Sequence, residues 1–343
     1  MPAPELPGVS VPALEAFLRE ARPGLLRGPL QVGLLSGGRS NLTYLLTDGD
    51  GRWVLRRPPL GHVLATAHDM DREYRMLRAL HPTAVPVPGP RVSAGPEIIG
   101  APFYVMDFVD GVVLREERQL AAVDAAAAAG LAGALVDILA LLHGIDPGEV
   151  GLAGLGRPEG YLERQLRRWA RQLAASRCRE LPDLVRLGER LGRRLPADQR
   201  AAIVHGDYRL DNVVVDPHGW RILGVLDWEM ATLGDPLTDL ASMVVWWDGI
   251  RDLDSPVAAV PGDVPGFPGA EFLLAAYARH TGRDLSELPW YLGFAYYKIA
   301  AIFEGIHYRD QLGLTVGEGF ERLGDMVPAL VERGHAALRG WAA

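Results

Sequence analysis

The residues best suited to chemistry form two short runs, HGDYRLDN at 205–212 and LDWE at 226–229. Phosphoryl transfer needs a carboxylate that orients and deprotonates the attacking hydroxyl, and oxygen ligands that hold Mg²⁺ on the phosphates. Asp207 and Asn212 have the spacing of a D-x-x-x-x-N catalytic loop. Because Mg²⁺ prefers carboxylate and amide oxygens, Asn212 and Asp227 are ligands of the right type. The two runs together predict phosphoryl transfer.

Each of these acids also has a structural interpretation. Asp207 and Asp211 would cap turns, and Asp227 would end a strand. The ordered set of His, Asp, Asn and Asp, with strand-like runs between them, favours the catalytic interpretation. The runs VVVD, PHG and RILGVLDW predict a hairpin, which would return Asp227 to the same cleft as Asp207.

The sequence before this site shows strand and turn signals around one helix. The order is three strands, a helix and two further strands over residues 30–109, with a DGDG turn at 48–51. The strand-like runs are QVGLL, LTYLLT, WVLRR and APFYVMDFV. The proline-rich stretch HPTAVPVPGPRV is predicted to be a loop. The helix is predicted over 67–80, with one apolar face formed by Met70, Tyr74, Leu77 and Leu80.

Residues from 110 onward are predominantly helical, and a short helix precedes the strands. Helices are predicted over 11–21, 161–175, 236–249, 271–280, 289–312 and 318–339, with a long one through Leu131, Leu135, Ile138 and Leu142. The predicted fold class is α+β. Its parts are an N-terminal helical extension (1–29), a small β-rich N-lobe (30–109) and a larger, mostly helical C-lobe (110–343).

Composition excludes several classes. The chain has 343 residues, of which 48% are hydrophobic and 23% charged, so disordered, collagen-like and disulfide-scaffold classes are excluded. The formal net charge of -8 is not typical of a nucleic-acid-binding protein, which carries an excess of basic residues. The single cysteine, Cys178, favours a reducing compartment. No signal peptide is recognised, and the apolar stretch 120–142 contains Asp124 and Asp137, which favours a soluble helix. We therefore expect a cytoplasmic monomer or homodimer with no nucleic-acid or membrane partner.

HGDYRLDN together with LDWEMATLGDPLTDLA resembles the aminoglycoside phosphotransferase and choline-kinase-like family, over roughly residues 30–340. The resemblance implies a protein-kinase-like two-lobed fold, ATP and Mg²⁺ as cofactors, Asp207 as the catalytic base, and Asn212 and Asp227 as magnesium ligands. The continuation GDPLTDLA predicts a helix start with Asp235 as N-cap. Asp235 and Asp239 are therefore expected to be scaffold residues.

The resemblance places the nucleotide contacts in the N-lobe. Val54 and Arg56 lie on one strand face, where protein kinases place V-A-I-K, so Val54 would touch adenine and Arg56 the phosphates. Lysine is replaced by arginine almost throughout, since Lys298 is the only lysine among 35 Lys and Arg residues. Arg56, or Arg57 if the register slips, would take the role of the missing lysine.

Further cofactor contacts follow from position. Glu73 on the next helix would pair with Arg56, although a solvated helix face is the alternative. The turn SGGRSN would cradle phosphates with backbone N–H groups, although an ordinary glycine turn is the alternative. The nominated turn residues are Ser36, Gly37, Gly38, Ser40 and Asn41, and the nominated hinge residues are Asp107, Phe108 and Val109.

The acceptor is indicated by three stretches, LRRPP at 55–59, YLERQLRRW at 161–169 and YYKIAAIFEGIHYRDQLG at 296–313. They resemble a branch whose kinase-like domains are in some proteins fused to acyl-CoA dehydrogenases, which implies a hydroxy acid or hydroxyacyl-CoA acceptor. Residues 157–200 hold twelve arginines and six acids, which favours an anionic acceptor or simply a solvated face. The candidate substrate residues are Arg164, Arg168, Glu229, Glu304 and Tyr308.

Two alternative functions stay open from the sequence. One keeps the fold and takes an aminoglycoside hydroxyl as the acceptor. The other is a nucleotide-binding pseudokinase with a regulatory role, motivated by the missing lysine and opposed by the intact Asp207, Asn212 and Asp227. A protein kinase is disfavoured because D-F-G and A-P-E are not recognisable. The choice between ATP and GTP is also open.

Overall fold

The computed structural model describes residues 6–35, 41–60, 69–176, 178–197, 201–253, 255–314 and 319–340. The chain forms two compact units, residues 1–111 with 223–231, and residues 112–222 with 232–343. The first unit therefore runs two residues past the N-lobe boundary predicted at 109 and also takes in a later segment. That segment joins the first unit through contacts such as the hydrogen bond from Val225 N to Pro86 O, 2.8 Å long.

The first unit is an antiparallel sheet with two helices. Its elements are α1 (Val11–Ala21), β1 (Gln31–Leu34), β2 (Leu42–Thr47), β3 (Arg52–Arg57), α2 (Met70–Leu80), β4 (Pro90–Ala94) and β5 (Phe103–Asp107). The strand order is β1-β2-β3-β5-β4. The stretch predicted as proline-rich loop ends inside β4. Proline is tolerated there because it occupies the first position of an edge strand.

The core of the first unit lies between the sheet and α1. Leu14 and Leu18 of α1 are fully buried and belong to one cluster with Leu46, Leu55 and Phe103 of the sheet. The helix was predicted as an extension, but it is part of this core. Its two leucines cover the sheet face that would otherwise be in contact with water.

The second unit is mainly helical. Its helices are α3 (Glu117–Ala121), α4 (Ala125–Gly144), α5 (Tyr161–Ala175), α6 (Pro182–Arg193), α7 (Leu237–Val244), α8 (Ala270–Thr281), α9 (Leu288–Gln311) and α10 (Leu323–Ala337). Its strands are β6 (Ala202–Val204), β7 (Val213–Val215) and β9 (Thr232–Gly234), while β8 (Ile222–Val225) spans the boundary between the units. The small sheet unit and the larger helical unit confirm the predicted α+β class.

Helix α4 is long and apolar enough to cross a membrane by length and composition alone. Its most apolar 18-residue stretch has a mean hydropathy of 2.1, and 39% of that stretch is buried inside the protein. Within the unit it packs against α8 and β6. Its final turn carries the buried His143, which bonds to Tyr277 of α8 and to Asp239 of α7. The helix therefore makes specific polar contacts with its neighbours.

Helix α7 begins one residue later than the predicted cap implies, with Pro236 rather than Asp235 at the N-cap position, but Asp235 still bonds to its first turn. The Oδ1 atom of Asp235 accepts a hydrogen bond from Leu237 N at 3.0 Å, and its Oδ2 atom accepts one from the Tyr291 hydroxyl at 2.6 Å. Both carboxylate oxygens are thus used within the fold. Asp235 acts as a scaffold residue that bonds to the first turn of α7 and ties it to α9.

Candidate functional site

The loop that carries Asp207 is held by one carboxylate of α7. The Asp239 Oδ2 atom accepts a hydrogen bond from His205 N at 2.6 Å, and its Oδ1 atom accepts one from Gly206 N at 2.8 Å. Gly206 has φ +86°, a conformation in which only glycine is free of strain. The backbone entering Asp207 is therefore fixed by α7 and by a residue type that permits the turn.

The carboxylate of Asp239 is itself anchored from behind. The Tyr277 hydroxyl donates to His143 Nδ1 at 2.7 Å, so Nε2 carries the proton and donates to Asp239 Oδ2 at 3.3 Å. Burial lowers the pKa of His143, which keeps its imidazole neutral. Burial alone would raise the pKa of Asp239, but hydrogen bonds from His143 and Gly206 hold it below its ordinary value. Asp239 is therefore an ionised, fully bonded scaffold residue, as predicted.

Asp207 and Asn212 are brought together as their spacing predicts. Asn212 Nδ2 donates to the backbone oxygen of Asp207 at 2.8 Å and to its Oδ2 atom at 3.1 Å. The side chain of Asp207 is 30% exposed, so its carboxylate is accessible to a ligand. Because the amide nitrogen of Asn212 is used, its Oδ1 atom is the one suited to a metal ion.

Arg209 is a charged neighbour of this pair that the sequence analysis did not nominate. Its guanidinium lies 2.8 Å from Asp211 and 3.5 Å from Asp207, and it stacks at 4.2 Å on the ring of Trp246. Burial raises the pKa of Asp211, and Arg209 opposes this effect. The only available sequence signal was the position of an arginine between two acids of the loop.

In the first unit, Arg56 lies between two carboxylates. Its Nη1 atom is 3.3 Å from Glu73 Oε2, and its Nη2 atom is 3.1 Å from Asp227 Oδ1. The predicted Arg56–Glu73 ion pair is thus present. The neighbouring Arg57 instead donates to the backbone oxygens of Gly8 and Pro58. The register of β3 therefore favours Arg56 as the phosphate-binding cation.

Glu73 connects Arg56 to a wider polar network. Its Oε2 atom accepts a hydrogen bond from Tyr104 at 2.9 Å, and its Oε1 atom accepts one from Asn41 Nδ2 at 3.3 Å. Asn41 Nδ2 also donates to Glu229 at 3.1 Å. Burial raises the pKa of Glu73, and Arg56 opposes this effect. Glu229, nominated for substrate, therefore lies in the same network as the nominated cofactor residues.

Arg56, Glu73 and Asp227 together are chemically suited to a nucleotide phosphate and a metal ion. The Nε atom of Arg56 is buried and has no hydrogen-bond partner among the described residues, although such a donor is costly to leave unpaired. Glu73 and Asp227 supply one carboxylate more than the guanidinium can balance. A phosphate oxygen would satisfy Nε, and a divalent cation would balance the carboxylates.

Asp227 has an unusual backbone conformation. Its φ of +65° and ψ of +61° place it in the left-handed region, which few residues other than Gly, Asn and Asp adopt. Its side chain is 32% exposed. Strain of this kind is found where the direction of one side chain matters more than local stability.

Of the remaining residues nominated for the cofactor, the structure describes Val54 but not the four turn residues. Ser36, Gly37, Gly38 and Ser40 lie outside the described residues. Val54 is buried on β3 opposite Met106 of β5.

The three hinge residues differ in the use of their backbone N–H groups. The N–H group of Asp107 donates to Gly89 O, and that of Phe108 donates to Arg52 O. These two N–H groups are therefore used within the first unit. That the backbone of Asp107, Phe108 and Val109 binds adenine stays a prediction.

The nominated substrate residues of the second unit differ in their partners and exposure. Arg164 donates to the backbone oxygens of Arg157 and Glu159, so it closes the loop before α5. Glu304 is fully buried and pairs with Arg179 at 2.8 Å, so in this structure it is a core ion pair. Arg168 is exposed on α5 and Tyr308 is half-buried on α9. Of these four, Arg168 is the one most open to an acceptor.

Comparison with known proteins places this geometry in a family. The model of the phosphotransferase enzyme family matches residues 31–291. Acyl-CoA dehydrogenase family member 11 of Gallus gallus is 35% identical over 333 residues, covering 94% of this chain and 42% of that protein. The chain thus spans about two fifths of the length of the curated relatives it matches.

Solved structures agree with the fold. A crystal structure from Ralstonia eutropha JMP134, provisionally described as an aminoglycoside phosphotransferase, is 31% identical with a TM-score of 0.83, covering 96% of this chain and 98% of that one. The GDP and kanamycin complex of APH(2")-IIIa is 18% identical with a TM-score of 0.62, covering 94% and 98%. These likenesses confirm the predicted protein-kinase-like fold.

Proposed function

The chain belongs to the phosphotransferase enzyme family, and on that premise we propose that it transfers the γ-phosphate of ATP to a hydroxyl of a small hydroxy acid or hydroxyacyl-CoA ester. The observation that carries the proposal is the partly exposed Asp207, hydrogen-bonded by Asn212 five positions later. This is the arrangement that a D-x-x-x-x-N catalytic loop requires.

Each residue has a defined task in the proposed reaction. Asp207 accepts the proton of the acceptor hydroxyl as its oxygen forms a bond to the γ-phosphorus, and the bond to the leaving ADP oxygen breaks. Arg56 binds the α- and β-phosphates with a fixed fork of donors. Asn212 and Asp227 would hold Mg²⁺, which when bound neutralises charge on the phosphates.

The acceptor class is supported by sequence likeness and by one cavity. The curated relatives include acyl-CoA dehydrogenase family members, of which this chain matches about two fifths. A cavity of about 520 Å³ lies within the second unit, lined by Leu166, Leu173, Val185 and Tyr297 together with Glu163, Arg167 and Glu189. Arg167 is paired with Glu163 at 2.9 Å, so the cavity supports an acyl chain and gives no support for an anionic group.

The proposal is tested by mass-spectrometric detection of phosphorylated product with Mg·ATP and two acceptor pools. One pool holds hydroxy acids and hydroxyacyl-CoA esters of increasing chain length, and the other holds aminoglycosides. We expect product in the first pool. Loss of a general base costs about 10²- to 10⁴-fold, so Asp207→Asn should lower turnover by that factor without a lower melting temperature.

Asp146→Asn is the matched control because Asp146 is exposed and its only described contact is a turn hydrogen bond to Gly148 N. It should retain wild-type turnover. Product from the aminoglycoside pool alone would change the acceptor class, which the Ralstonia structure's description favours. Nucleotide binding without transfer to either pool would favour the pseudokinase, and full activity of Asp207→Asn would exclude the mechanism.

A further inference from the structure

The only lysine of the chain lies against the candidate catalytic loop. Lys298 is on α9, and its Nζ atom donates to the backbone oxygen of Gly206 at 2.5 Å. The same ammonium lies 5.8 Å from the ring centre of Trp169 on α5. Every other Lys or Arg position of the chain holds arginine, so this contact is the one position at which lysine is retained. A lysine offers a compact ammonium with three donors, where arginine would need room for a planar fork.

Gly206 is therefore held at both of its backbone polar groups. Its N–H group donates to Asp239 Oδ1 at 2.8 Å, and its oxygen accepts from Lys298. The oxygen of Gly206 belongs to the same peptide unit as the N–H group of Asp207, and that N–H group donates to His205 Nδ1 at 3.2 Å. The peptide plane that enters Asp207 thus has a partner on each side.

We propose that Lys298 is a positioning residue, which fixes the peptide between Gly206 and Asp207 and so aligns the Asp207 carboxylate with the acceptor hydroxyl. The inference rests on the proposed function, since it assigns a role in that reaction. Lys298 acts through the backbone and does not itself contact the reacting atoms. A misplacement of about 1 Å at such a group costs up to about a hundredfold in rate.

The charges around Lys298 agree with a fixed ammonium. Burial lowers the pKa of Lys298, whereas Asp207 on the loop and Asp239 on α7 raise it. Arg168 on α5 and Arg209 on the loop act in the opposite direction to the two acids. The ammonium is therefore attracted by the two carboxylates of the loop region and shielded on one side by the ring of Trp169.

The kinetic test compares Lys298→Met, Lys298→Arg and Arg309→Met in the phosphoryl-transfer assay. We expect Lys298→Met to lower kcat by about 10- to 100-fold with little change in KM for ATP. Lys298→Arg keeps a donor for the Gly206 oxygen, so part of the rate should return. Arg309→Met is the matched control, because it removes a cation from an exposed position of the same helix and should leave kcat unchanged.

Two outcomes would overturn the inference. Wild-type kcat in Lys298→Met would show that the contact does not position the base. Equal losses in Lys298→Met and Lys298→Arg, with equal falls in melting temperature, would assign Lys298 to packing alone. Failure of the proposed function is separate, because the wild-type protein would then give no product in either pool.

A second measurement requires no activity. The chain contains two amines, Lys298 and the N-terminus, so acylation by an amine reagent followed by peptide mass spectrometry reports on Lys298 alone. Because Asp207 raises the pKa of Lys298, acylation in Asp207→Asn should begin at lower pH than in the wild-type protein. An unchanged pH dependence would mean that the ammonium does not lie beside the Asp207 loop, so the contact with the Gly206 oxygen on which the inference rests would be absent.

Discussion

Each unit contains one buried polar network, and the two networks differ in whether their charged groups are fully hydrogen-bonded within the protein. In the second unit, Asp239 accepts hydrogen bonds from His205 N, Gly206 N and His143, so its charge is matched inside the protein. In the first unit, Arg56 serves two carboxylates, Glu73 and Asp227, and keeps a buried Nε donor with no partner among the described residues. The first arrangement is complete in itself, whereas the second lacks an acceptor and a cation.

This difference distinguishes residues that hold the loop in place from residues that are available to bind a ligand. A buried charge with all of its hydrogen bonds made stabilises one conformation and has no capacity left for a ligand. A buried donor without a partner costs free energy that a ligand can return. By this criterion Asp239 is a scaffold residue, whereas Arg56 has the unpaired donor expected of a binding residue, although both are charged and buried.

The largest effect is expected when the complete network is broken. Asp239→Ala leaves two backbone N–H groups and the neutral His143 without an acceptor, and each unsatisfied buried donor costs about 1–3 kcal/mol. The free energy of unfolding, measured by denaturant titration, should therefore fall by at least about 3 kcal/mol. Asp146→Ala is the control, since an exposed turn acceptor should cost less than about 1.5 kcal/mol. Equal losses would remove the distinction between the two networks.

A smaller effect is expected in the incomplete network, and it concerns affinity. Hydrogen bonds to charged groups contribute about 1.5–3 kcal/mol, so Arg56→Met should weaken ATP binding by about ten- to a hundredfold in calorimetry. Arg57→Met, on the same strand, should bind ATP normally because Arg57 contacts only Gly8 and Pro58 backbone among the contacts described. The reverse result would assign the phosphate-binding role to Arg57.

The smallest effect is a pH dependence of stability to which His143 of the complete network contributes. Burial lowers the pKa of His143 below its ordinary 6.5, so the unfolded chain binds the proton first as pH falls. Stability is therefore full above pH 6.5 and declines below it, by at most about 1.4 kcal/mol per pH unit. His143→Gln should flatten this part of the stability curve. An identical slope in the variant would mean that the pKa of His143 is the same in the folded and unfolded states.

Much of the fold followed from local periodicity. Helices α1 and α5 begin and end where their apolar spacing predicts, and the strands β1 to β3 lie in the predicted runs. Helix α6 was missed, although Leu184, Leu187 and Leu191 have helical spacing, because the arginines around them were interpreted only as a charged face. Strand β9 was missed because three residues give no period, and its pairing with β6 is long-range in sequence.

The candidate site was predicted where chemistry and spacing coincide. Asp207 with Asn212 follows from a loop spacing, whereas Arg56 with Glu73 follows from the resemblance to the family. Arg209 and Lys298 were not predicted as parts of the loop, because a cation that acts through tertiary contact has no local pattern. Glu304 was nominated from a motif, yet it is buried against Arg179, since sequence does not show which face of α9 is covered.

The left-handed backbone of Asp227 has a consequence for how this chain can change over generations. With φ at +65°, the position readily accepts Asn or Gly, whereas other residues would add strain. Both replacements are a single nucleotide away from an aspartate codon and keep the turn. Gly removes the proposed metal ligand, and Asn replaces its carboxylate with a neutral amide. A folded, stable descendant without this carboxylate is therefore one point mutation distant. Variants of this kind should accumulate at Asp227 wherever selection keeps the fold but no longer the reaction.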